Sequence, residues 1–233
     1  MKHRLLEWTL TKASGPDGDR YAAMLPRMER SVPRTERGVE LVRRLCEDER
    51  WAARYLAARA VGRMVPDLIE VDEAWRRLLA MAVDESPIVR EAVPVGIAAL
   101  VQREPSAGER LERLLDDGAA PRLARRAGLR SLVALTLSPG TRALGERLLR
   151  AAALAGPDAH HGVGAVILGR GIGARDPEHA RRIAAEWAAS PEAPLREQAA
   201  RASRGALADA EAGGKPEGAI RSIKRHATTT EVA

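Results

Sequence analysis

The residues best suited to chemistry in this sequence are arginines at helical spacing, and they lie in two clusters. In the first cluster Trp51 and Tyr55 lie one helical turn apart, flanked by Arg50, Arg54 and Arg59. Guanidinium groups bind phosphate through paired hydrogen bonds, and the two rings would form an apolar shelf beside them. The cluster is therefore a candidate phosphate-binding site. The alternative is that both rings cover the contact with the preceding helices.

The second cluster consists of Arg122, Arg125, Arg126 and Arg130. Positions 122, 126 and 130 share one face of a helix, so three guanidinium groups could follow a phosphate backbone. The alternative is a solvated face whose charge is neutralised by acidic residues of the neighbouring helix. These residues are Glu109, Glu112, Asp116 and Asp117.

Two further patterns do not predict a cofactor site. The adjacent His160 and His161 have no cysteine and no further histidine at ligand spacing, so no metal site is predicted. The glycines between positions 162 and 173 lack the spacing and the preceding strand of a phosphate-binding loop. They favour close packing of helices, with a flexible end at Gly169–Gly173. No cofactor is predicted for this chain.

The elements that carry these residues are predicted to be helices. Alanine and leucine dominate the 233 residues, phenylalanine is absent, and no long stretch alternates between apolar and polar residues. Hydrophobic residues make up 45% of the chain, which is enough to bury a sizeable core. The composition therefore predicts an all-α fold.

One helical pattern returns along the chain at a nearly constant interval. Its clearest copy is a helix that begins after Ser86, where Ser86 is expected to cap the helix and Pro87 to occupy its first turn. Copies of its Val-Arg position recur every 35 or 36 residues, each within an alanine- and leucine-rich run, which indicates an array of helical repeats. These positions are Arg54, Arg90, Arg125, His160 and Arg196.

The segment Asp84-Glu-Ser-Pro-Ile-Val-Arg-Glu-Ala resembles the HEAT repeats, whose second helix typically opens with Asp, often Pro, and then Val-Arg. The stretch from Asp48 to Arg54 keeps the same spacing, and later copies are more divergent. The resemblance implies a right-handed α-α superhelix of about five HEAT-like helical pairs, with the second helices lining the concave side. It also implies that Asp and Arg form a ladder between neighbouring repeats, an alternative role for Arg54, Arg90, Arg125 and Arg196.

These patterns predict three parts of the chain. Residues 1–33 form an N-terminal pair of capping helices, because terminal repeats must close the core against water. Residues 34–208 form the repeat array. Residues 209–233 form a flexible C-terminal tail, with a breaker at Glu211-Ala-Gly-Gly-Lys-Pro.

Charge is the main indication of function. The chain has a net charge of +6 and a pI near 10.2, and the predicted second helices are basic whereas the first helices are nearly neutral. A GC-rich genome, in which arginine codons replace lysine codons, would account for the arginines without any function, but a polyanionic partner would favour basic second helices. With six aromatic residues in the chain, a duplex held through its phosphates fits better than stacked single strands.

The predicted function is therefore that of a non-catalytic binding protein whose basic concave groove holds the backbone of duplex DNA or another acidic macromolecule. A scaffold for protein–protein interaction is the alternative. The nucleic-acid-binding residues are predicted to be Arg50, Trp51, Arg54, Tyr55, Arg59, Arg90, Arg122, Arg125, Arg126 and Arg130.

The chain also resembles, more weakly, the HEAT-like bacterial alkylpurine DNA glycosylases in its size, its basic second helices and Trp51. The resemblance would imply a DNA-repair enzyme that releases alkylated bases. The tryptophan–aspartate segment of that family is missing, and Trp75 falls on a first helix. Asp48 and Asp84 are the nearest acidic candidates, but the ladder accounts for both. No catalytic residue is predicted.

The expected location is the cytoplasm. Cys46 is the only cysteine, which excludes a disulfide framework and fits a reducing compartment. Residues 1–10 carry charges where a signal peptide would be apolar, and the uncharged run 92–101 is too short to span a bilayer. No membrane partner is predicted.

Overall fold

The computed structural model describes residues 2–15, 18, 21, 23–155 and 162–204, and the regular structure in these residues is helical. They contain no β-strand, so the predicted all-α class is confirmed. The chain divides into two compact units at the peptide bond between Glu104 and Pro105. The predicted tail 209–233 and the histidine pair lie outside the described residues.

The first unit contains six α-helices in its described residues. They are α1 Lys2–Ala13, α2 Leu25–Met28, α3 Glu36–Cys46, α4 Trp51–Ala60, α5 Val71–Ala82 and α6 Pro87–Arg103. Short 3₁₀ helices follow α2 and α4 directly, at Glu29–Ser31 and Val61–Met64. Helix α4 packs against α1, α2, α3, α5 and α6, so it lies at the centre of this unit.

The second unit also contains six α-helices in its described residues. They are α7 Ala107–Asp116, α8 Arg122–Leu137, α9 Arg142–Leu154, α10 Val163–Val166, α11 Pro177–Ala188 and α12 Ala193–Arg204. A π-helix, Ile167–Gly173, continues directly from α10 and packs against α8, α11 and α12. The expected flexible end at Gly169–Gly173 is therefore part of a helix, with Gly169, Ile172 and Gly173 buried.

The helices fall where the sequence pattern places them. In each predicted pair the first helix is α3, α5, α7, α9 or α11, and the second is α4, α6, α8, the α10–π segment or α12. Helix α2 and the 3₁₀ helix Glu29–Ser31 correspond to the end of the predicted second capping helix. The superhelix, the number of repeats and the boundaries at 33/34 and 208/209 stay predictions.

Each described junction between a first and a second helix has the same hydrogen-bonded turn. A short polar side chain at the junction accepts a hydrogen bond from the backbone N–H two residues later, which starts the second helix. These side chains are Asp48, Asp84, Asp117 and Ser190, with O···N distances of 2.9, 2.8, 2.9 and 3.2 Å. Ser86 is the N-cap residue of α6 and Pro87 follows it, as predicted, but the Ser86 side chain makes no capping hydrogen bond; the carboxylate of Asp84 instead accepts the N–H of Ser86.

An arginine of the second helix then closes the same turn. Its Nη1 donates to two successive backbone carbonyls at the junction, which the end of the first helix leaves without helical partners. In the first pair Arg54 donates to the carbonyls of Asp48 and Glu49, at 2.9 and 2.7 Å. The equivalent arginines are Arg90, Arg125 and Arg196, with distances between 2.6 and 3.2 Å.

Small residues let α6 approach α4 and its 3₁₀ extension backbone to backbone. A Cβ atom on Gly96 would lie 2.0 Å from the carbonyl oxygen of Ala58, and one on Gly62 would lie 2.1 Å from the carbonyl oxygen of Gly96. Neither distance is possible for a real methyl group. Glycine is therefore required at both positions by the close approach of the two helices.

In the second unit Gln198 joins three helices. This side chain is 3% exposed, and its Nε2 donates to the carbonyl of Ala153 at the end of α9 (2.9 Å). Its Oε1 accepts from the N–H of Ala165 in α10 (3.0 Å). Because a buried amide must satisfy both of its polar atoms, Gln198 fixes α12 against the other two helices.

No helix among the described residues is both long and apolar enough to cross a membrane. The apolar helix α6, Pro87–Arg103, is instead buried within the first unit. Its buried residues include Val89, Ile97 and Leu100.

Gly96→Ala is expected to lower the free energy of unfolding by on the order of 1–3 kcal/mol, because the added methyl group must push α6 away from Ala58. Urea denaturation followed by circular dichroism measures the change. Gly118→Ala is the matched control, since a Cβ atom at Gly118 meets nothing within 4 Å. Equal losses in the two variants would contradict the close contact.

Candidate functional site

The guanidinium group of Arg54 uses all five of its N–H donors within the first unit. Besides the two junction carbonyls, it binds both carboxylate oxygens of Asp84, at 2.7 and 3.0 Å, and the carboxylate of Glu85 at 3.1 Å. The Arg54 and Asp84 side chains are only 12% and 9% exposed. This pair joins α4 to the junction of the next helical pair, which is the type of ladder contact that the HEAT resemblance implies.

Arg50 ties the start of α4 to α1. Its guanidinium group donates to Asp48 at 2.9 and 2.7 Å, to Glu7 at 3.0 Å and to Thr11 at 3.1 Å. Hydrogen bonding to Arg50 lowers the pKa of Asp48, although partial burial opposes the shift. The same bond raises the pKa of Arg50. Arg50 therefore carries a charge that two carboxylates already balance.

Arg59 lies between an aromatic ring and a buried carboxylate. Its Nε donates to Glu29 at 2.7 Å, and its Cζ lies 5.8 Å from the ring centroid of Tyr55. Arg63 binds the other oxygen of Glu29 at 3.0 Å, and burial raises the pKa of the Tyr55 hydroxyl. The ring of Trp51 is half-buried, and a Cβ atom on Gly18 would lie 4.0 Å from it.

The three arginines of the first cluster thus all have carboxylate partners within the first unit. These partners lie on α1, on the 3₁₀ helix after α2 and at two junctions, which fits the alternative that the cluster covers the contact with the capping helices. Binding of nucleic acid by Arg50, Trp51, Arg54, Tyr55 and Arg59 stays a prediction. A phosphate would have to displace a carboxylate that is already in place.

Arg90 and Arg125 occupy the same position in their helices as Arg54, and both bind junction carbonyls. Arg90 donates from Nη1 to Asp84 and Glu85, at 2.6 and 2.8 Å. Arg125 is 8% exposed and donates to Asp117 and Gly118, at 3.2 and 2.9 Å. Both guanidinium groups therefore have structural contacts, and their predicted role in binding nucleic acid stays a prediction.

The first helices carry charges of both signs, and several of these charges pair across neighbouring first helices. In the first unit Arg43 of α3 binds both carboxylate oxygens of Glu73 on α5, at 2.9 Å each. In the second unit Arg147 of α9 binds Glu112 of α7, and Arg182 of α11 binds Glu146 of α9. These pairs were not predicted from the sequence, although the separations of 35 and 36 residues in the second unit match the repeat interval; the Arg43–Glu73 separation is 30 residues.

Arg122, Arg126 and Arg130, the arginine stripe of α8, stand apart from all of these groups because their side chains are exposed. In the part of the chain that the structure describes, Arg122 and Arg126 make no hydrogen bond and no ion pair. Glu112, one of the carboxylates expected to neutralise the stripe, binds Arg147 instead. The oxygen Oδ1 of Asp117, another of them, accepts the N–H of Ala119. The charges of Arg122 and Arg126 therefore face solvent.

The contacts of the acidic residues give less support to a metal site or a general base. The described residues contain no cluster of three or more His, Cys, Asp or Glu side chains that could hold a metal ion. Asp48 and Asp84, the acidic candidates of the glycosylase interpretation, are each bound to an arginine and to a backbone N–H. A carboxylate held in this way is a weaker base, as the lowered pKa of Asp48 illustrates.

Arg54→Gln is expected to lower the free energy of unfolding by about 3 kcal/mol, because it leaves the buried carboxylate of Asp84 without its guanidinium partner. Arg90→Gln is the matched control at the same position of the next pair. Since the bonds of Arg90 in the described residues go to carbonyls, its loss is expected to be about 1 kcal/mol. Similar losses in urea denaturation would contradict a special role of the Arg54–Asp84 pair.

Glu73→Gln is expected to make the free energy of unfolding less dependent on pH in the acid range. Hydrogen bonds from Arg43 and then Arg77 lower the folded-state pKa of Glu73 from 4.5 to about 2, against the effect of burial. The stabilisation is thus complete above the unfolded-state pKa and disappears as the pH falls towards about 2.

Urea midpoints measured between pH 7 and pH 2 test this prediction. The variant should be less stable than the parent at pH 7, and the difference should shrink through the acid range. Glu40→Gln removes an exposed carboxylate of α3 and serves as the control. A constant difference between parent and Glu73→Gln at all pH values would contradict the assignment.

Comparisons with protein-family models, with curated proteins and with solved structures gave no match to this chain. The resemblance to HEAT repeats therefore depends on the residue pattern, together with the junctions that recur at its interval. It stays a prediction, as does the weaker resemblance to alkylpurine DNA glycosylases.

Proposed function

We propose that the second unit binds the backbone of duplex DNA, without catalysis, through the arginine stripe Arg122, Arg126 and Arg130. The observation that carries the proposal is the exposure of Arg122 and Arg126, which have no carboxylate partner in the described residues, whereas Arg50, Arg54 and Arg59 each have one. Two guanidinium groups without a carboxylate partner in the described residues, with a third exposed guanidinium group on the same helix face, favour a polyanionic ligand. We further propose that the helical pairs are arranged as in HEAT repeats.

The spacing of the stripe suits a phosphate backbone. Residues 122, 126 and 130 advance by four positions, so the outer two lie about 12 Å apart along the helix axis. One strand of a duplex presents a phosphate about every 3.4 Å of its axis, so this length faces three or four phosphates. The stripe is therefore long enough to contact several phosphates of one strand.

The charge around the stripe has the same sign. On the second helices of the second unit, arginine supplies every exposed charge of the described residues except that of Glu197, which is paired with Arg201. The field at this surface therefore attracts polyanions and repels cations. The first helices of this unit carry both signs and pair them, as in Arg147 with Glu112, so they offer no comparable surface.

A duplex fits this unit better than a single strand does. Trp187 is the only aromatic residue between Pro105 and Pro216, and it is 2% exposed. Binding of single strands usually relies on several exposed aromatic rings that stack on the bases. Contacts through phosphates alone predict binding that is independent of sequence and strongly dependent on salt.

The test is the binding of a labelled duplex at several salt concentrations. Contacts to three phosphates predict that log K falls against log salt with a slope of roughly −2.7. The variant Arg122→Glu/Arg126→Glu is expected to bind at least tenfold more weakly and with a slope nearer −1, because it removes two of the contacts.

The matched control is Arg37→Glu/Arg76→Glu, which makes the same change in net charge at exposed positions of α3 and α5. If the control loses as much affinity as the stripe variant, net charge and not the stripe determines binding. If the parent chain does not bind duplex at low salt, the proposed function is wrong.

A scaffold for protein partners is the second candidate, and exposed apolar side chains favour it. Leu123, next to the stripe, is 40% exposed, and Val166 at the end of α10 is 53% exposed. An acidic amphipathic helix could use both the arginines and these apolar groups. The same duplex titration distinguishes the two candidates, because the scaffold predicts no binding of DNA even at low salt.

A further inference from the structure

The π-helix Ile167–Gly173 rests directly on α8. A Cβ atom on Gly171 would lie 2.5 Å from Cγ2 of Val133, so a larger residue at this position would push the π-helix away from the Val133 side chain. Val133 follows Arg130 by three residues and therefore lies one turn further along the same side of α8. The end of the arginine stripe and the middle of the π-helix are thus neighbours.

Arg170 precedes Gly171 in this π-helix and is exposed. In the described residues it makes no hydrogen bond and no ion pair, whereas the nearby Arg175 is used to bind the carbonyl of Gly171 at 2.9 Å. Arg170 therefore has the same properties as Arg122 and Arg126. Within the π-helix it is the only charged residue.

We infer that the polyanion-binding surface continues from α8 onto the π-helix, where Arg170 contacts the same nucleic-acid backbone as Arg130. This inference rests on the proposed function of the arginine stripe. It extends the site from one helical pair to two, because the π-helix belongs to the pair that follows α8. A rigid duplex would then be held by two neighbouring elements and not by one helix alone.

The π-helical conformation is what fixes the position of Arg170. The wider turn of a π-helix shifts the side chains that follow it relative to an α-helix, and such turns are common at functional sites. Ile167, Leu168 and Ile172 remain buried on the other sides of the turn, which leaves position 170 to solvent. Gly171 therefore allows the π-helix that carries Arg170 to pack on α8, and the glycines here do not form a phosphate-binding loop.

The experiment is a titration of labelled duplex with Arg170→Gln at several salt concentrations. With Arg170 as a fourth contact the parent slope becomes roughly −3.6, and Arg170→Gln is expected to weaken binding severalfold for duplexes of unrelated sequence and to return the slope to the roughly −2.7 of the stripe alone. Arg170→Lys keeps the charge and should retain most of the affinity and the full slope. Arg37→Gln, at an exposed position of α3, controls for the loss of one net charge.

The outcomes separate this inference from the proposed function. If Arg170→Gln binds like the parent while Arg122→Glu/Arg126→Glu loses binding, the stripe stands and the extension to the π-helix is wrong. If the parent does not bind duplex at low salt, both are wrong. Circular dichroism and a thermal melt of each variant show whether it is folded, and Arg170→Lys provides the second comparison if Arg170→Gln is unstable.

Discussion

A hydrogen-bonded turn between the two helices of a pair is the constraint on which the rest of this structure depends. The end of a helix leaves several carbonyl groups without partners, and here an arginine from the following helix supplies two donors to them. The residue that starts the turn is Asp or Ser, whose side chain accepts the N–H two positions later. In the described residues only Gly162 has a positive φ (66°), so guanidinium groups, and not left-handed glycines, close these junctions.

This use of arginine explains how a basic chain can be assembled from pairs of helices without leaving most of its charge free. Arginine suits both roles because its planar group donates in several directions at once and stays charged when it is partly buried. Arg54 illustrates the structural role, because all five of its donors are bound within the first unit. Arg122 and Arg126 illustrate the second role, exposed positive charge, because they lie on the exposed side of a second helix. The position within the repeat, and not the residue type, separates the two groups.

Much of the fold could be predicted from the sequence, because helical periodicity and the repeat interval are local signals. The arginines at the repeated position could be predicted as structural from their register. Arg54 has the expected partner in the next pair, whereas in the described residues the bonds of Arg90 and Arg196 go to the carbonyls of their own junctions. The carboxylate partners of Arg50 and Arg59 could not, since Glu7 and Glu29 lie outside the repeats and their pairing depends on how the N-terminal helices pack. The π-helix was missed because its glycines predicted a flexible end, whereas Gly171 allows it to pack closely on Val133 of α8.

The junction also has a consequence for the way the chain folds. The contact between Arg54 and the carbonyl of Asp48 spans six residues, whereas the contact between Arg54 and Asp84 spans thirty. Loop closure costs less entropy for the shorter span, so the turn can form before neighbouring pairs dock. A helical hairpin with its junction already closed would then be the unit that assembles. We expect such a chain to fold by the successive addition of preformed hairpins, with the long-range ion pairs forming last.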